Sequence, residues 1–161
     1  MKGSVDAQAS DGVVMAGGGD DLYQWGAPVT RGKIGMEDWE IRAALDAHWA
    51  ASDANDFELE HQIYREDAVL EYPQSAERIR GRRNIQASRF AQPSKKRFTV
   101  RRILGAADLW VTEFVLTYDG RPSYTVSIME FKEGKVTRET QYFGDAFQPG
   151  SSRAQWVERM L

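Results

Sequence analysis

Three side chains of the sequence, His48, Tyr72 and Tyr142, are of types that carry out acid–base chemistry. An unperturbed imidazole has a pKa of about 6.5, so His48 could act as a general acid or base at neutral pH. A tyrosine hydroxyl can donate a hydrogen bond to a carbonyl oxygen that becomes an oxyanion. Each residue also has a structural alternative, because His48 could bond a backbone carbonyl or water and the tyrosines could be core aromatics.

Other kinds of chemistry are excluded by composition. The chain has no cysteine, so disulfide scaffolds, thiolate metal sites and cysteine nucleophiles are ruled out. It has only two histidines, His48 and His61, so one chain cannot build a three-histidine metal site. We therefore expect no metal site, and any catalysis to proceed without a cofactor.

The charge is distributed unevenly. The net charge of −3 gives no general reason to bind nucleic acid or acidic membranes. Ten basic residues nevertheless lie between Arg78 and Arg102, and no acidic residue occurs from Arg78 through Ala107. This stretch could attract an anion, or it could face acids elsewhere in the chain, such as Glu58, Glu60, Glu66 and Asp67. Because no nucleic-acid motif accompanies it, we expect no nucleic-acid partner.

The first 36 residues differ from the rest of the chain. They hold 8 of the 14 glycines but only two of the 18 aromatic residues. We expect either a flexible leader over 1–36 or an arm in which Leu22, Tyr23 and Trp25 dock on the body or on a neighbouring subunit. The longest early apolar run, Val13 to Ala16, is too short for a membrane span or a signal sequence. A folded domain over 37–161, located in the cytoplasm, is the expectation.

The first half of this domain has helical patterning. Apolar residues from Ile41 to Ser52 recur at spacings of three and four, and His48 and Trp49 share their face. A short helix from Phe57 to Tyr64 is expected to carry Leu59, Ile63 and Tyr64 inward. A strand at 68–72 and a helix at 82–91, the latter contacting the core through Ile85 and Phe90, should follow.

The second half has strand patterning. Runs at 97–104, 109–118, 123–131 and 135–143 are rich in β-branched and aromatic residues, and Asp119-Gly120 and Glu133-Gly134 are hairpin turn signals. Ser151 and Ser152 could cap a terminal helix that carries Trp156, Val157 and Met160. The expected fold is α+β: a cone-shaped α+β barrel, with a strongly bent antiparallel sheet, helices packed on its concave face and a pocket inside.

The register of the hairpins predicts which strand residues line that pocket. A two-residue turn at 133–134 would pair Phe131 with Val136, Met129 with Arg138 and Thr125 with Tyr142, all on the pocket side. Together with helix one, this register predicts a substrate-binding lining of mixed character: Trp49, Trp110, Phe114, Met129, Arg138.

The opposite face of the sheet would carry many apolar residues together with Glu113 and Glu139. It is too apolar for open solvent, so a homodimer through this outer face is expected. Glu113 could form an ion pair or a dimer contact there. If it points inward instead, its raised pKa would make it a candidate acid or base in the pocket, and Glu113 is for this reason also a candidate substrate-binding residue.

Several motifs, in this order, resemble the SnoaL-like branch of the nuclear transport factor 2-like superfamily. The resemblance runs from about Trp39 to Phe147. The matching segments are an alanine-rich helix leading into 52–56, the segment 64–73 with an acidic pair, a strand and Pro73, the glycine-started helix at Arg80-Gly81-Arg82, and the hairpin 131–136 followed by Tyr142-Phe143.

The resemblance implies a cone with an internal pocket, in a superfamily that includes isomerases, dehydratases, cyclases, epoxide hydrolases and binding domains. It also implies a carboxylate that works in acid–base chemistry near the end of the last strand. Here Gly144 occupies that position and Asp145 follows it, so Asp145 is a candidate whose side chain would point the other way on a strand.

Two classes of function are consistent with the sequence. One is a cofactor-independent isomerase, dehydratase, cyclase or hydrolase that acts on a small hydrophobic or polyketide-like molecule by acid–base catalysis. The other is a non-catalytic ligand-binding or dimerisation module. Convergence of His48, Tyr72, Tyr142 and one carboxylate on a cavity would favour the first.

Overall fold

The computed structural model describes residues 36–160, so the predicted leader, apart from Met36, lies outside the described residues. The α-helices are α1 (Asp38–Ala54), α2 (Phe57–His61) and α3 (Arg82–Phe90). The first two precede all of the strands, and α3 lies between the second and third strands of the chain. The strands are β1 (Tyr64–Tyr72), β2 (Glu77–Arg80), β3 (Lys96–Ala106), β4 (Leu109–Tyr118), β5 (Arg121–Lys132) and β6 (Lys135–Asp145). A 3-10 helix, Ser151–Trp156, follows β6.

All six strands form one bent, unclosed sheet in the order β2-β1-β6-β5-β4-β3. The expected α+β class with a bent sheet is confirmed. The antiparallel meander of β3 to β6 is also as expected. Two features are absent from the expected fold: β1 pairs with β6 in parallel, and β2 adds an edge strand beside β1.

The helix α1 positions the core from one side of the sheet. It starts with a capping box between Glu37 and Glu40, and it ends at Asn55, whose φ of 57° is left-handed. Its buried face is the one that the spacing predicts, and it includes Ile41, Leu45 and Trp49. No helix among residues 36–160 has the length and apolar character needed to cross a membrane.

In the two short helices, α2 and α3, the residues that face the core differ from those predicted. The helix α2 ends at His61, and it buries Glu60 and His61 while Leu59 is 46% exposed. In α3 the buried Ile85 shares its face with Arg89, four residues on, and Phe90 is 72% exposed. The predictions for Leu59 and Phe90 are therefore wrong, because charged residues with partners across the core take the inward positions.

The terminal helix is also different from the expected one. It is a 3-10 helix with no buried residue, and Trp156, Val157 and Met160 are exposed. These three residues therefore do not pack on the core of their own chain.

The two hairpin turns form as predicted, but the second is followed by a β-bulge. Asp119 and Glu133 have φ of 49° and 54°, and each precedes a glycine with positive φ, as two-residue hairpins require. Phe131 pairs with Val136 as expected, but the next pair is Glu130 with Arg138, so β6 contains one extra residue. Beyond the bulge, every β6 side chain points to the face opposite the predicted one.

Candidate functional site

A cavity of about 440 Å³ opens between the helices and the inner face of the sheet. This volume lies in the range of small-molecule sites. Aromatic and aliphatic side chains form much of its wall: Tyr72, Ile79, Phe98, Phe114, Leu116, Tyr118 and Phe143. Its polar lining residues are Ser52, Glu60, Glu77, Ser88, Arg89, Gln92, Lys96 and Gln141.

A group of four buried charges, which we call the inner cluster, lies at this cavity: Glu60, Arg89, Lys96 and Glu139. Arg89 donates from Nη1 to Glu60 Oε1 at 2.6 Å and from Nη2 to Glu139 Oε2 at 2.9 Å. Lys96 Nζ donates to the backbone oxygen of Arg89 at 2.8 Å. Arg89 therefore pairs with both carboxylates, whereas Lys96 is held by a backbone carbonyl beside them.

Glu139 is the fully satisfied member of the cluster. Its side chain is 0% exposed and accepts hydrogen bonds from Tyr64 Oη, Arg89, Ser127 Oγ at 2.6 Å and Gln141 Nε2 at 2.7 Å. Burial alone would raise the pKa of this carboxyl, but the Arg89 charge and these hydrogen bonds hold it below the usual value. Glu139 thus serves as a fixed anion that orients Arg89.

Glu60 differs from Glu139 because one of its oxygens is unused. Arg89 holds Oε1, whereas no side chain or backbone N–H of residues 36–160 donates to Oε2. The nearest cation-forming atom, His61 Nδ1, is 3.8 Å from Oε2 and donates instead to the Phe57 carbonyl. Burial acts to raise the pKa of Glu60, but the charge of Arg89, the nearby histidines and the hydrogen bond from Arg89 together lower it, so Glu60 remains a carboxylate that lines the cavity.

The phenols of Tyr72 and Tyr118 also line the cavity. Burial raises the pKa of both groups above the ordinary value for tyrosine. Both hydroxyls therefore keep their protons at neutral pH and can donate to a ligand oxygen. The expectation that Tyr72 lies in the pocket agrees with this position.

His48 is buried in the helix layer and does not line this cavity. Its Nδ1 lies 2.7 Å from the Glu60 carbonyl oxygen, which can only accept, so Nδ1 carries the proton. Burial, with Arg89 nearby, lowers the pKa of His48 to about 4. The arrangement matches the carbonyl-bonded alternative for His48, with a neutral ring at physiological pH.

The predicted inward positions of Tyr142 and Arg138 are wrong because of the bulge in β6. Tyr142 is 43% exposed on the outer face, and Arg138 pairs there with Glu71 at 3.1 Å. Glu139 and Gln141 take the inward positions instead. Asp145 is exposed at the end of β6, opposite Ser123, and is not among the residues that line the cavity.

The predicted binding residues of β4 and β5 face inward as expected, but only Phe114 lines the cavity. Trp49 and Trp110 are core residues whose indole N–H groups donate to Thr112 Oγ1 and to the Ala107 carbonyl, each at 3.1 Å. Met129 is buried in the same core. Three of these predicted binding residues therefore fill the core beside the cavity.

Glu113 lies on the outer face and does not line the cavity, so the prediction that it binds substrate in the pocket is wrong. It pairs with Arg102, and Arg101 Nη1 lies 3.6 Å from its Oε1. We call Glu113, Arg101 and Arg102 the outer cluster. It shows that part of the basic stretch is paired with acids, as it is at Arg82 with Glu66 and at Arg97 with Asp53.

The sequence indicates only that the basic stretch, which includes Arg89, could face acids such as Glu60, and it does not identify these two residues as a buried pair at a cavity. The usable signal was the i, i+4 spacing of Ile85 and Arg89, which places the arginine on the inward face of α3. Across the described part of the chain, no group of three or more histidine and acidic side chains has an arrangement suited to a metal ion.

Comparisons with known proteins agree with this fold. The family described as SnoaL-like domain matches residues 41–139. A crystal structure of an NTF-2 like protein of unknown function from Burkholderia xenovorans LB400 is similar, with 56% identity and a TM-score of 0.72, over 78% of this chain and 99% of that one. No protein with a curated description matches the chain.

Two further structures are similar at lower identity. A candidate ketosteroid isomerase from Kribbella flavida DSM 17836 shares 26% identity with a TM-score of 0.71, over 76% of this chain and 91% of that one. An LEH-like epoxide hydrolase from M. tuberculosis shares 23% identity with a TM-score of 0.56, over 66% of this chain and 84% of that one. The latter likeness bears on the fold alone.

Proposed function

Since the chain belongs to the SnoaL-like domain family, we propose that its cavity binds a small, mainly apolar molecule and acts on it by acid–base chemistry without a cofactor. The observation that carries this proposal is the free oxygen of Glu60. A deprotonated carboxylate oxygen without a donor, beside an apolar wall, is a group that can take a proton from a ligand. We assign Glu60 as the base.

The surrounding side chains suit the rest of such a reaction. As Glu60 Oε2 takes a proton from a C–H or O–H group of the ligand, the electron pair left behind moves toward a ligand oxygen. The hydroxyl of Tyr72 or Tyr118 can donate to that oxygen and stabilise its charge. The proton on Glu60 then returns to another ligand atom in an isomerisation, or to a departing hydroxide in a dehydration.

The similarity to the candidate ketosteroid isomerase supports this class of chemistry by analogy. That reaction type moves a proton next to a carbonyl group, which requires a base and a donor to the carbonyl oxygen. Glu60 and Tyr72 supply these two groups here.

A probe reaction tests the base directly. The activated substrate 5-nitrobenzisoxazole loses one C–H proton to a carboxylate in an apolar site, and its N–O bond breaks to give a coloured phenolate. We expect Glu60→Gln to lower the rate of this elimination by about 10²-fold, the usual contribution of a positioned base. Glu58→Gln, an exposed carboxylate of the same short helix, should leave the rate unchanged. Equal rates for Glu60→Gln and the unchanged protein would refute the assignment.

A non-catalytic ligand-binding protein is the second candidate, and one observation favours it. The Arg89 charge lowers the pKa of Glu60, and a carboxylate with a lowered pKa is a weaker base. Under this alternative, 2-naphthol would still bind in the cavity, as measured by its fluorescence. The protein would then show no elimination above that of free acetate at equal concentration.

We also propose that two copies associate through the outer face of the sheet. This face exposes one apolar side chain on each of four strands: Leu104, Leu109, Tyr124 and Tyr142. Half-buried Val111, Val115, Val126 and Ile128 lie between them. An exposed patch of this kind is typical of an isologous interface.

Sedimentation tests this dimer. The unchanged protein should sediment as a dimer of the 18.2 kDa chain, and Val126→Glu should shift it to the monomer. Leu59→Glu changes an equally apolar exposed residue on α2 and should leave the dimer intact. A monomer at all concentrations for the unchanged protein would disprove the interface.

A further inference from the structure

Lys96 is the member of the inner cluster that has no anionic partner. It is 8% exposed at the start of β3, and its side chain lines the cavity. Its Nζ donates to the Arg89 backbone oxygen at 2.8 Å, and none of the ion pairs among residues 36–160 includes it, since Arg89 takes both carboxylates. A cation buried without an anion is costly, so this position favours the neutral amine of Lys96 over its ammonium form.

The charges around Lys96 act on balance in the same sense. Burial lowers the pKa of its amine below the ordinary value for lysine, and the charge of Arg89 adds to this effect while that of Glu60 opposes it. A lowered pKa increases the share of neutral amine at neutral pH, and only the neutral amine has a lone pair that can form a bond. The preceding residue, Lys95, is exposed, so the two neighbours differ in burial and not in residue type.

The residues around the amine are mainly aromatic. The Phe57 ring covers one side of it, with the ring centroid 5.0 Å from Nζ. Tyr118, which is the register partner of Lys96 in β4, lines the cavity together with Phe98 and Phe114. An apolar ligand that packs against these rings can therefore present a reactive group to Nζ.

From this arrangement we propose that Lys96 is a covalent binding residue, whose Nζ forms an imine with an aldehyde or ketone group of an apolar ligand. Of the described residues that line the cavity, Lys96 alone carries an amine. The inference rests on the proposed function, since it names the class of substrate for the same cavity.

The reaction needs no further reagent. Nζ attacks the carbonyl carbon, a C–N bond forms, and the π electron pair of the carbonyl moves to its oxygen. The two amine protons then pass in turn to that oxygen, which leaves as water, and a C=N bond remains. The Glu60 carboxylate lines the same cavity and can carry these protons. Once protonated, the imine withdraws electrons from the neighbouring C–H bond, from which Glu60 can take a proton as proposed above.

Reductive trapping with 2-naphthaldehyde tests this bond in the full chain. Sodium cyanoborohydride transfers a hydride to the imine carbon and gives a stable secondary amine, which fragmentation mass spectrometry assigns to a particular lysine. At neutral pH we expect Lys96 to be labelled at least about tenfold faster than Lys95, because the cavity holds the aldehyde beside Nζ. Labelling of Lys96 that is no faster than that of Lys95 would overturn the proposal.

The same experiment in urea needs no variant. Unfolding removes the cavity, so both lysines should then be labelled at equal rates. A preference for Lys96 that persists in the unfolded chain would show that the local sequence causes it, and would contradict the proposed site.

Two matched substitutions assign the reactive amine. Lys96→Arg keeps a cation that can donate to the Arg89 carbonyl but cannot form an imine, so the rapid label should disappear. Lys95→Arg makes the same change at the exposed neighbour and should keep the rapid label. A rapid label that remains in Lys96→Arg would place the reactive amine elsewhere.

These outcomes are separable from those of the proposed function, because the elimination of 5-nitrobenzisoxazole involves no carbonyl group and no imine. Slow labelling of Lys96 with an elimination that depends on Glu60 would overturn only this inference. Rapid labelling of Lys96 with no effect of Glu60→Gln on elimination would overturn only the catalytic role of Glu60.

Discussion

The inner and outer clusters contain the same types of residue but sit in different surroundings. In the inner cluster, Arg89 of α3 lies between Glu60 of α2 and Glu139 of β6. In the outer cluster, Glu113 lies between Arg101 and Arg102 on the opposite face of the sheet, where the arginine side chains are 53% and 66% exposed. Burial is the main difference, and it decides which cluster has consequences for stability and chemistry.

Removing the shared cation should have the largest effect, and only in the inner cluster. Arg89→Met removes the cation that pairs with two buried carboxylates, so we expect a loss of about 3–5 kcal/mol in the free energy of unfolding, measured by urea denaturation. Arg102→Met should cost no more than about 1 kcal/mol because its pair is exposed to water. Similar losses for the two variants would show that burial does not separate the clusters.

Acid should weaken the protein through the groups around the inner cluster. The pKa of His48 falls from 6.5 when unfolded to about 4 when folded, so below pH 6.5 the unfolded chain binds more protons. Stability should therefore decrease as the pH drops from about 6.5 to about 4, by roughly 3 kcal/mol for this group. Glu60 and Glu139, whose folded pKa values are lowered, add to the loss below their unfolded values.

His48→Gln checks the source of this acid sensitivity. Denaturation curves at a series of pH values should be flatter for the variant between pH 6.5 and 4, since its side chain does not titrate. Glu113→Gln, in the outer cluster, serves as the control and should keep the slope of the unchanged protein. An equally steep slope in His48→Gln would place the acid-sensitive group elsewhere.

A single hydrogen bond within the inner cluster should have a smaller effect. Tyr64→Phe removes the hydroxyl that donates to Glu139, and we expect a loss of about 1.5–3 kcal/mol because the acceptor is charged and buried. Tyr124→Phe removes an exposed hydroxyl of the outer face and should change the melting temperature very little. Equal shifts in melting temperature would contradict the role of Glu139 as a buried anchor.

The smallest effect is expected in the outer cluster. Glu113→Gln removes one carboxylate from two exposed arginines, so the free energy of unfolding should change by about 1 kcal/mol or less. Raising the salt concentration should reduce even that difference, because exposed charges are screened. The measurement is made at a protein concentration low enough to keep the chain monomeric, and a loss as large as that of Arg89→Met would contradict the difference in burial between the two clusters.

Most of the fold can be predicted from the sequence. The fold was predictable because its signals are local: the spacing of α1, the two glycine turns, and the alternation in β4 and β5 all agree with the structure. Those signals act within a few residues and depend on backbone preference and side-chain period. The resemblance to the SnoaL-like family placed them in the right order.

The site was less predictable because it depends on one inserted residue and on contacts across the chain. Because of the bulge after Val136, Glu139 and Gln141 face inward in place of Arg138 and Tyr142. No turn residue in the sequence indicates that this bulge is present. Glu60 and Arg89 lie 29 positions apart, and only the tertiary fold brings their charges together. In the sequence, a charged residue that is buried is not distinguishable from one on the surface until its partner is known.

The central claim is that Glu60 receives the ligand in the cavity, and a crystal structure of the protein with 2-naphthol tests it most directly. We expect the naphthol oxygen to lie within about 3 Å of Glu60 Oε2, with the naphthol rings between Phe98, Phe114 and Phe143. A naphthol bound on the outer face, or one whose hydroxyl points to the rim near Glu77, would contradict the assignment of Glu60.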